Sequence, residues 1–371
     1  MPKRAAAVLT VVLMLCSILP CRARAVSTSA AAAILVDADS GRVLYEQNAH
    51  EPRLIASITK LMTALVALES GHDLGEEVTI RPEWAGAEGS SIYLRPGEKV
   101  SLETLLYGML LRSGNDAALA VAGHCGGTVE DFVARMNEKA RELDMKDSSF
   151  ANPNGLNAGD HYSTAYDMAL LARACLENET LAKMVSTKSI TLGTRIFTNH
   201  NKLLWRYEGC IGMKTGYTEK AGRTLVSAAE RDGLTLICVT LNDPNDWADH
   251  AALFDYGFAN YRGEQAVRAG DTLCRMPTSG SLAPFCPVKA GGSLSLCLTG
   301  EEQVRRELRL DREVLEGPLP AGTAVGEAVY FLENQEVGRV PLVTGEAVTA
   351  DRTASVDFLD RLKERLEELS D

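Results

Sequence analysis

Hydrophobic and polar positions along this chain change period several times, and each change marks an element. The stretch AAAILVDADSGRVLYEQ, residues 31–47, sets two short apolar runs on either side of a turn at Asp37–Gly41, the pattern of a β-hairpin. Helical spacing takes over through Ile58–Leu68, Leu102–Leu111 and Ala117–Ala122. It returns in VEDFVARMNEKARELDM, where Val129, Phe132, Val133, Met136 and Ala140 share one face. ANPNGLNAGDHYS, residues 151–163, reads as loop from its Asn, Gly and Pro content. TAYDMALLARACL is helical again.

From Gly209 the period falls to that of strands. GCIGMKTGY, RTLVSAAE and LTLICVTL are three candidate strands, the last two joined by a turn at Arg231-Asp232-Gly233. WADHAALFDYGFANY closes the unit as a helix. Strands therefore lie at both ends of one domain with helices between. That predicts a mixed α/β fold, an antiparallel sheet with helices packed on it, rather than a doubly wound parallel sheet. Beyond about Gly263, short β-like runs (AVRAGDTLCRM, SLSLCL, AVYFLENQEVGRVPLV) alternate with Gly and Pro and predict a small all-β, sandwich-like second domain. VDFLDRLKERLEELSD at the end puts Leu359, Leu362, Leu366 and Leu369 on one face of a terminal amphipathic helix.

The first residues change the picture. Lys3 and Arg4 precede an apolar run from Ala5 to Leu19, and Ala23-Arg24-Ala25 follows, the three regions of a secretory signal peptide cut after Ala25. The run is too short for a membrane span, which needs roughly 20 residues. The expected organisation is a signal peptide over 1–25, a mixed α/β domain over 26–262, a β domain over 263–350 and the amphipathic helix over 351–371. Export to the cell envelope follows. The whole chain has net charge −12, and loss of Lys3, Arg4, Arg22 and Arg24 leaves the rest more acidic still. Nucleic acid is thereby excluded as a partner. The cysteines are scattered and form no C-x-x-C, which points to small buried residues, with one bridge among Cys274, Cys286 and Cys297 as an option. The six histidines have no H-E-x-x-H spacing, so no catalytic metal or other cofactor is expected.

The candidate chemistry begins with ASITKLMTAL, residues 56–65. Ser57 and Lys60 fall on one helical face, where an amine in desolvated surroundings loses its proton readily and can activate the hydroxyl. S-x-x-K alone is a weak signal. Ser113-Gly114-Asn115 lies in the turn between two helices, and Lys214-Thr215-Gly216 lies on a predicted strand. The three signatures, in this order and in an exported chain, resemble those of the penicillin-recognising serine enzymes. Within that superfamily the S-G-N form, the hairpin, the residue 150–169 loop region and the β-rich C-terminal part resemble the low-molecular-weight penicillin-binding D-alanyl-D-alanine carboxypeptidases.

The resemblance implies a β-lactamase/transpeptidase-like fold and a set of roles. Ser57 would attack the bond between two terminal D-alanines of a peptidoglycan stem peptide, with Lys60 as general base. Ser113 would relay a proton and Asn115 orient Lys60 or the substrate. Lys214 and Thr215 would hold the terminal carboxylate, and Gly216 would let substrate lie along a strand edge. The backbone N–H groups of Ser57 and Tyr217 would form the oxyanion hole. β-Lactams would acylate the same serine. The resemblance also implies peripheral membrane contact through the terminal helix, although its polar side is more acidic than basic. One departure is the segment NDPNDWADH, which lacks an arginine often found near the substrate carboxylate. Lys214 and Thr215, or Arg223, are left to bind it. His161 is read as a prop for its loop. The rival readings are a serine β-lactamase, a peptidoglycan endopeptidase acting on cross-links, and a non-catalytic wall-peptide binding protein. The loop offers only Asp160 as the carboxylate that rapid deacylation by a β-lactamase would need.

Overall fold

The computed structural model describes residues 26–351 and Leu362. The signal peptide and the amphipathic helix, apart from Asp351 and Leu362, lie outside the described residues. Strands β1 (Ala32–Asp37) and β2 (Val43–Gln47) form the expected hairpin. Short strands β3 (Glu77–Thr79) and β4 (Lys99–Ser101) pair with each other, as do β5 (Ser189–Leu192) and β6 (Arg195–Thr198). The strands β7 (Cys210–Thr218), β8 (Gly222–Arg231) and β9 (Leu234–Leu241) complete a five-stranded sheet in the order β2-β1-β9-β8-β7. Every pairing in it is antiparallel. The two ends of the domain meet where β1 pairs with β9, Ile34 opposite Val239.

A 3-10 turn, Ala56–Thr59, leads into α1 (Lys60–Glu69). Then come α2 (Leu102–Arg112), α3 (Asn115–Gly126), α4 (Val129–Glu142), α5 (Ala165–Glu177), α6 (Glu179–Ser186), the single turn α7 (Leu203–Arg206) and α8 (Asp246–Asn260). Caps set their starts: the hydroxyls of Ser101, Thr128 and Thr164 each accept from a backbone N–H three residues on. α1 is buried almost all round, from Lys60 to Ala67, because it runs through the middle of the helical layer. α4 buries only Phe132, Met136 and Ala140, the stripe its sequence displays. The sheet's faces are covered differently. One joins α1–α6 in the large core that includes Ile34, Ile58, Leu61, Val226 and Val239, and the other packs Leu35, Leu225 and Leu236 against Leu253 and Phe254 of α8.

From β10 (Tyr261–Val267) the chain runs through a series of strands. β11 (Thr272–Ser279), β12 (Phe285–Ala290), β13 (Leu294–Thr299), β14 (Val304–Leu310), β15 (Leu315–Glu316), β16 (Ala324–Leu332) and β17 (Gln335–Thr344) follow. Six of them form a sheet in the order β14-β16-β17-β12-β11-β15, and β10 pairs with β13. β15 runs parallel to β11, the exception in an otherwise antiparallel arrangement. A separate core of Val288, Leu296, Val325, Ala328 and Leu342 holds the two layers together. Arg42 on the loop before β2 reaches across to Glu302 with two nitrogens at 2.7 and 2.8 Å, and this pair holds the Glu302 carboxyl down at about 2.

The disulfide entertained from sequence is not formed. Cys274, Cys286 and Cys297 are all free thiols, and Cys297 packs into the core beneath α8 rather than against the other two. Cys125, Cys175, Cys238, Cys286 and Cys297 are buried, the small-residue role expected of them.

Candidate active site

Ser57 sits second in the 3-10 turn that opens α1, so the nucleophile candidate and Lys60 are one turn apart on a rigid element. The residue before it, Ala56, has φ of +48°, a conformation that side chains other than glycine rarely adopt. Its surroundings hold it there. Thr59 Oγ1 donates to the Ala56 carbonyl at 2.7 Å, and Gly155 lies so close that a Cβ there would fall 2.0 Å from the same oxygen. Gly155 also has φ of +85°, so two independent constraints require glycine. Strain stored beside a reactive group and fixed by its neighbours is a pattern of functional sites.

Lys60 is fully buried. Its Nζ lies 2.9 Å from Ser57 Oγ, 2.7 Å from Asn115 Oδ1 and 2.6 Å from the carbonyl of Asn154. The two carbonyl oxygens can only accept. A neutral amine therefore spends its two N–H groups on Asn115 and Asn154 and turns its lone pair to the Ser57 hydroxyl. Burial drives the Lys60 pKa well below its ordinary value, the charge of Lys214 lowers it further, and Asp116 opposes them. The electrostatics thus favour the uncharged amine, and the geometry leaves its lone pair facing Ser57.

Asn115 is the first residue of α3, and Ser113, with φ of +62°, ends α2. Asp116, buried beside them, ties down the facing loop. Its carboxylate accepts from the N–H groups of Ile92, Leu94 and Ala117 and from Ser91 Oγ. The N–H of Asn115 donates to the Ser90 carbonyl at 2.7 Å. On the other wall, Lys214 Nζ donates to Ser113 Oγ at 3.0 Å and to the Thr215 carbonyl. Burial brings the Lys214 pKa down to about 7. Lys214 and Thr215 lie on β7, the edge strand, which pairs only with β8 among the described residues. Gly216 is required by closeness. A Cβ there would meet Thr224 Oγ1 at 2.4 Å and the Ser57 backbone nitrogen at 2.9 Å, so its absence lets β7 lie directly over the turn that carries Ser57. Tyr217 stands exposed at the mouth.

The three signatures converge. Ser57, Ser113, Thr215, Gly216 and Tyr217 line one cleft of about 290 Å³ together with Ser90, His200, Lys202, Arg223, Asp246 and Trp247. Lys60, Asn115 and Lys214 stand behind its floor.

The sequence profile of a family described as D-alanyl-D-alanine carboxypeptidase matches residues 20–245. A second, described as the C-terminal domain of penicillin-binding protein 5, matches residues 287–350. The chain belongs to the D-alanyl-D-alanine carboxypeptidase family. It is 31% identical to D-alanyl-D-alanine carboxypeptidase DacF of Bacillus subtilis over 90% of this chain and 88% of that one. It is 32% identical to DacC of Escherichia coli over 87% and 85% of the two chains. Among solved structures, penicillin-binding protein 5 from Haemophilus influenzae superposes with a TM-score of 0.75 at 29% identity, over 87% of this chain and 98% of that one.

Set in this family, the cleft's missing arginine has a structural counterpart. Arg223 does reach the cleft, but one of its terminal nitrogens donates to both oxygens of Asp246, at 2.7 and 2.8 Å, and the guanidinium lies 5.5 Å from the Trp247 ring centre. Its charge is already matched by Asp246. His200 and Lys202 also line the cleft, and sequence reading passed over both, along with Ser90, Asp116 and the Asn154 carbonyl. A backbone acceptor leaves no trace in residue identity. Asp116 had one faint mark, an acidic residue in the first turn of a helix right after S-G-N. His161 is a strut: Nδ1 accepts from the Ala151 N–H, which leaves the ring proton on Nε2 to face Thr59 Oγ1 at 2.8 Å. Burial holds its pKa near 4, so the ring stays neutral.

Proposed function

We propose that Ser57 is the nucleophile and Lys60 the base of this serine-type D-alanyl-D-alanine carboxypeptidase. Uncharged Lys60 takes the proton of Ser57 Oγ as the oxygen bonds to the carbonyl carbon of the penultimate D-alanine. The charge that develops on the carbonyl oxygen is met by the N–H groups of Ser57 and Tyr217. The C–N bond then breaks, and the proton passes from Lys60 by way of Ser113 to the departing D-alanine amine. Ser113 suits this relay because it already accepts from Lys214 and keeps its own hydrogen for the cleft. Water, deprotonated by Lys60, attacks the ester and frees Ser57. Lys214 and Thr215 receive the substrate carboxylate, Asn115 holds Lys60 in line, and the open edge of β7 takes the peptide as an added strand.

The observation that carries this reading is the 2.9 Å approach of a wholly buried lysine to a half-exposed serine in the cleft. A carboxypeptidase is favoured over a β-lactamase by what the loop presents to that serine. It brings the Asn154 carbonyl, while Asp160 is exposed to solvent. Peptidoglycan stem peptide and β-lactams are the expected ligands.

We also infer export to the cell envelope, supported by the charged, apolar and small-residue regions of the leader. Among the described residues no helix is long and apolar enough to cross a membrane. The leucine seam of residues 356–371 supports a weak peripheral contact driven by apolar burial alone, since its polar side is acidic.

Fluorescent penicillin tests the core of the reading. It should label one peptide, containing Ser57, and stay attached for minutes, and the protein should release D-alanine from stem pentapeptide. Ser57→Ala should lose label and at least about a thousandfold of activity. Full D-alanine release by Ser57→Ala, or label on another residue, refutes the assignment. Release within seconds makes the protein a β-lactamase.

A further inference from the structure

Remote from the cleft, the fold gathers three side chains that the reaction does not use. His72 lies in the turn after α1, Glu76 just before β3, and His124 near the end of α3. One donor atom from each lies within 4.8 Å of the others. His72 Nδ1 is 2.8 Å from one Glu76 oxygen, and His124 Nε2 is 3.4 Å from the other. The two imidazole rings are 4.8 Å apart, inclined at 48°. His124 Nε2 is buried yet makes no hydrogen bond, its approach to Glu76 being poorly aligned. A buried ring nitrogen left without a partner is a destabilising feature that wants an explanation.

We propose that His72, Glu76 and His124 form a binding site for a divalent transition metal, zinc being the ion that fits best. Two imidazoles and one carboxylate are the donor set that suits zinc, whereas calcium and magnesium want oxygen throughout. Bonds of about 2.0–2.1 Å in a tetrahedron set neighbouring donors roughly 3.3 Å apart. The pairs at 2.8 and 3.4 Å, on different oxygens of Glu76, bracket that spacing, and with all three donors within 4.8 Å of one another side-chain rotations close the site. All three residues are only half-buried, so the fourth position opens to solvent for water.

The site's place in the fold defines its role. His124 is nine residues along α3 from Asn115, about 14 Å at the helical rise. A metal there cannot take part in acyl transfer. It would tie the far end of α1, whose first residue is Lys60, to the far end of α3, whose first residue is Asn115. The metal would thus clamp the two helices that aim the base, without touching the reaction.

Cobalt provides the spectroscopic probe. Titrating Co(II) into the purified protein should give d–d bands of a nitrogen- and oxygen-ligated ion at one equivalent, with no thiolate charge-transfer band, and Zn(II) should bleach them. Zn(II) should also raise the thermal midpoint. His72→Ala, His124→Ala and Glu76→Gln should each weaken binding by roughly tenfold or more, while penicillin labelling in metal-free buffer stays at the wild-type level and certifies the fold. Absence of a stoichiometric cobalt spectrum overturns the proposal. So does a spectrum with thiolate bands that survives the histidine changes, which would place the ion on the free cysteines.

Discussion

Lys60 Nζ and Asn115 Oδ1 are 2.7 Å apart, both buried, on the first residues of two different helices. The contact aims the Lys60 amine, while burial and the charge of Lys214 lower its affinity for a proton. Asn115 and the Asn154 carbonyl take the amine's two hydrogens, and the lone pair has one direction left, toward Ser57.

The two buried lysines make opposite demands on pH. As the proposed base, Lys60 must be neutral to accept a proton, so acylation should rise with pH through its lowered pKa. Lys214 must be charged to attract the substrate carboxylate, and its pKa is about 7. The expected kcat/KM profile is a bell, with a falling limb near pH 7 carried by KM. Substrate carboxylate stabilises the Lys214 ammonium, so kcat should keep rising where kcat/KM falls. A falling limb that appears equally in kcat would show that Lys214 does not serve the carboxylate.

Lys214 also lowers the Lys60 pKa through its charge. Lys214→Met should therefore shift the rising limb of penicillin acylation to higher pH, besides raising KM. An unchanged rising limb, measured by stopped-flow labelling across pH, would mean that burial alone sets the base.

Asp246 occupies the guanidinium that the cleft otherwise offers. Asp246→Asn frees the Arg223 charge while keeping a hydrogen-bonding side chain. It should lower KM for stem pentapeptide several-fold, since charge-assisted hydrogen bonds are roughly twice as strong as neutral ones. Arg223→Ala in the parent should change KM little. A large KM increase in that variant would show that Arg223 binds the carboxylate despite Asp246.

Gly216 is held to glycine by two neighbours that respond differently to substitution. Gly216→Ala pushes against both Thr224 Oγ1 and the Ser57 backbone nitrogen, and should lower the melting temperature and abolish labelling. Adding Thr224→Ala removes the first clash only. The double variant should regain part of its stability in a thermal melt yet remain unlabelled, because the oxyanion N–H of Ser57 is still displaced. Labelling restored to the parent rate would sink this account of the strand's closeness.

Much of this protein was legible in residue order. The hairpin, the helices through Leu61, Leu105 and Met168, and the strands of β7–β9 carry their periods openly, because each buries one face or runs through the core. The short pairs β3–β4 and β5–β6, the helix α6 and the turn α7 were not read. They hold few residues, and neighbouring segments decide their conformation. The three short signatures were visible because each is a local string of unusual chemistry.

Sequence alone determined the inventory: a serine and a lysine one turn apart, an S-G-N turn, a K-T-G strand and an acidic chain with a basic, then apolar, N-terminal stretch. Tertiary structure decided what those groups are. Burial lowers the proton affinity of Lys60, Asp246 claims Arg223, and the Asn154 carbonyl faces Ser57 where a carboxylate would have implied other chemistry. Proton affinity and reach depend on what surrounds an atom in space. Most of those surroundings come from residues tens of positions away or from backbone atoms that every residue shares.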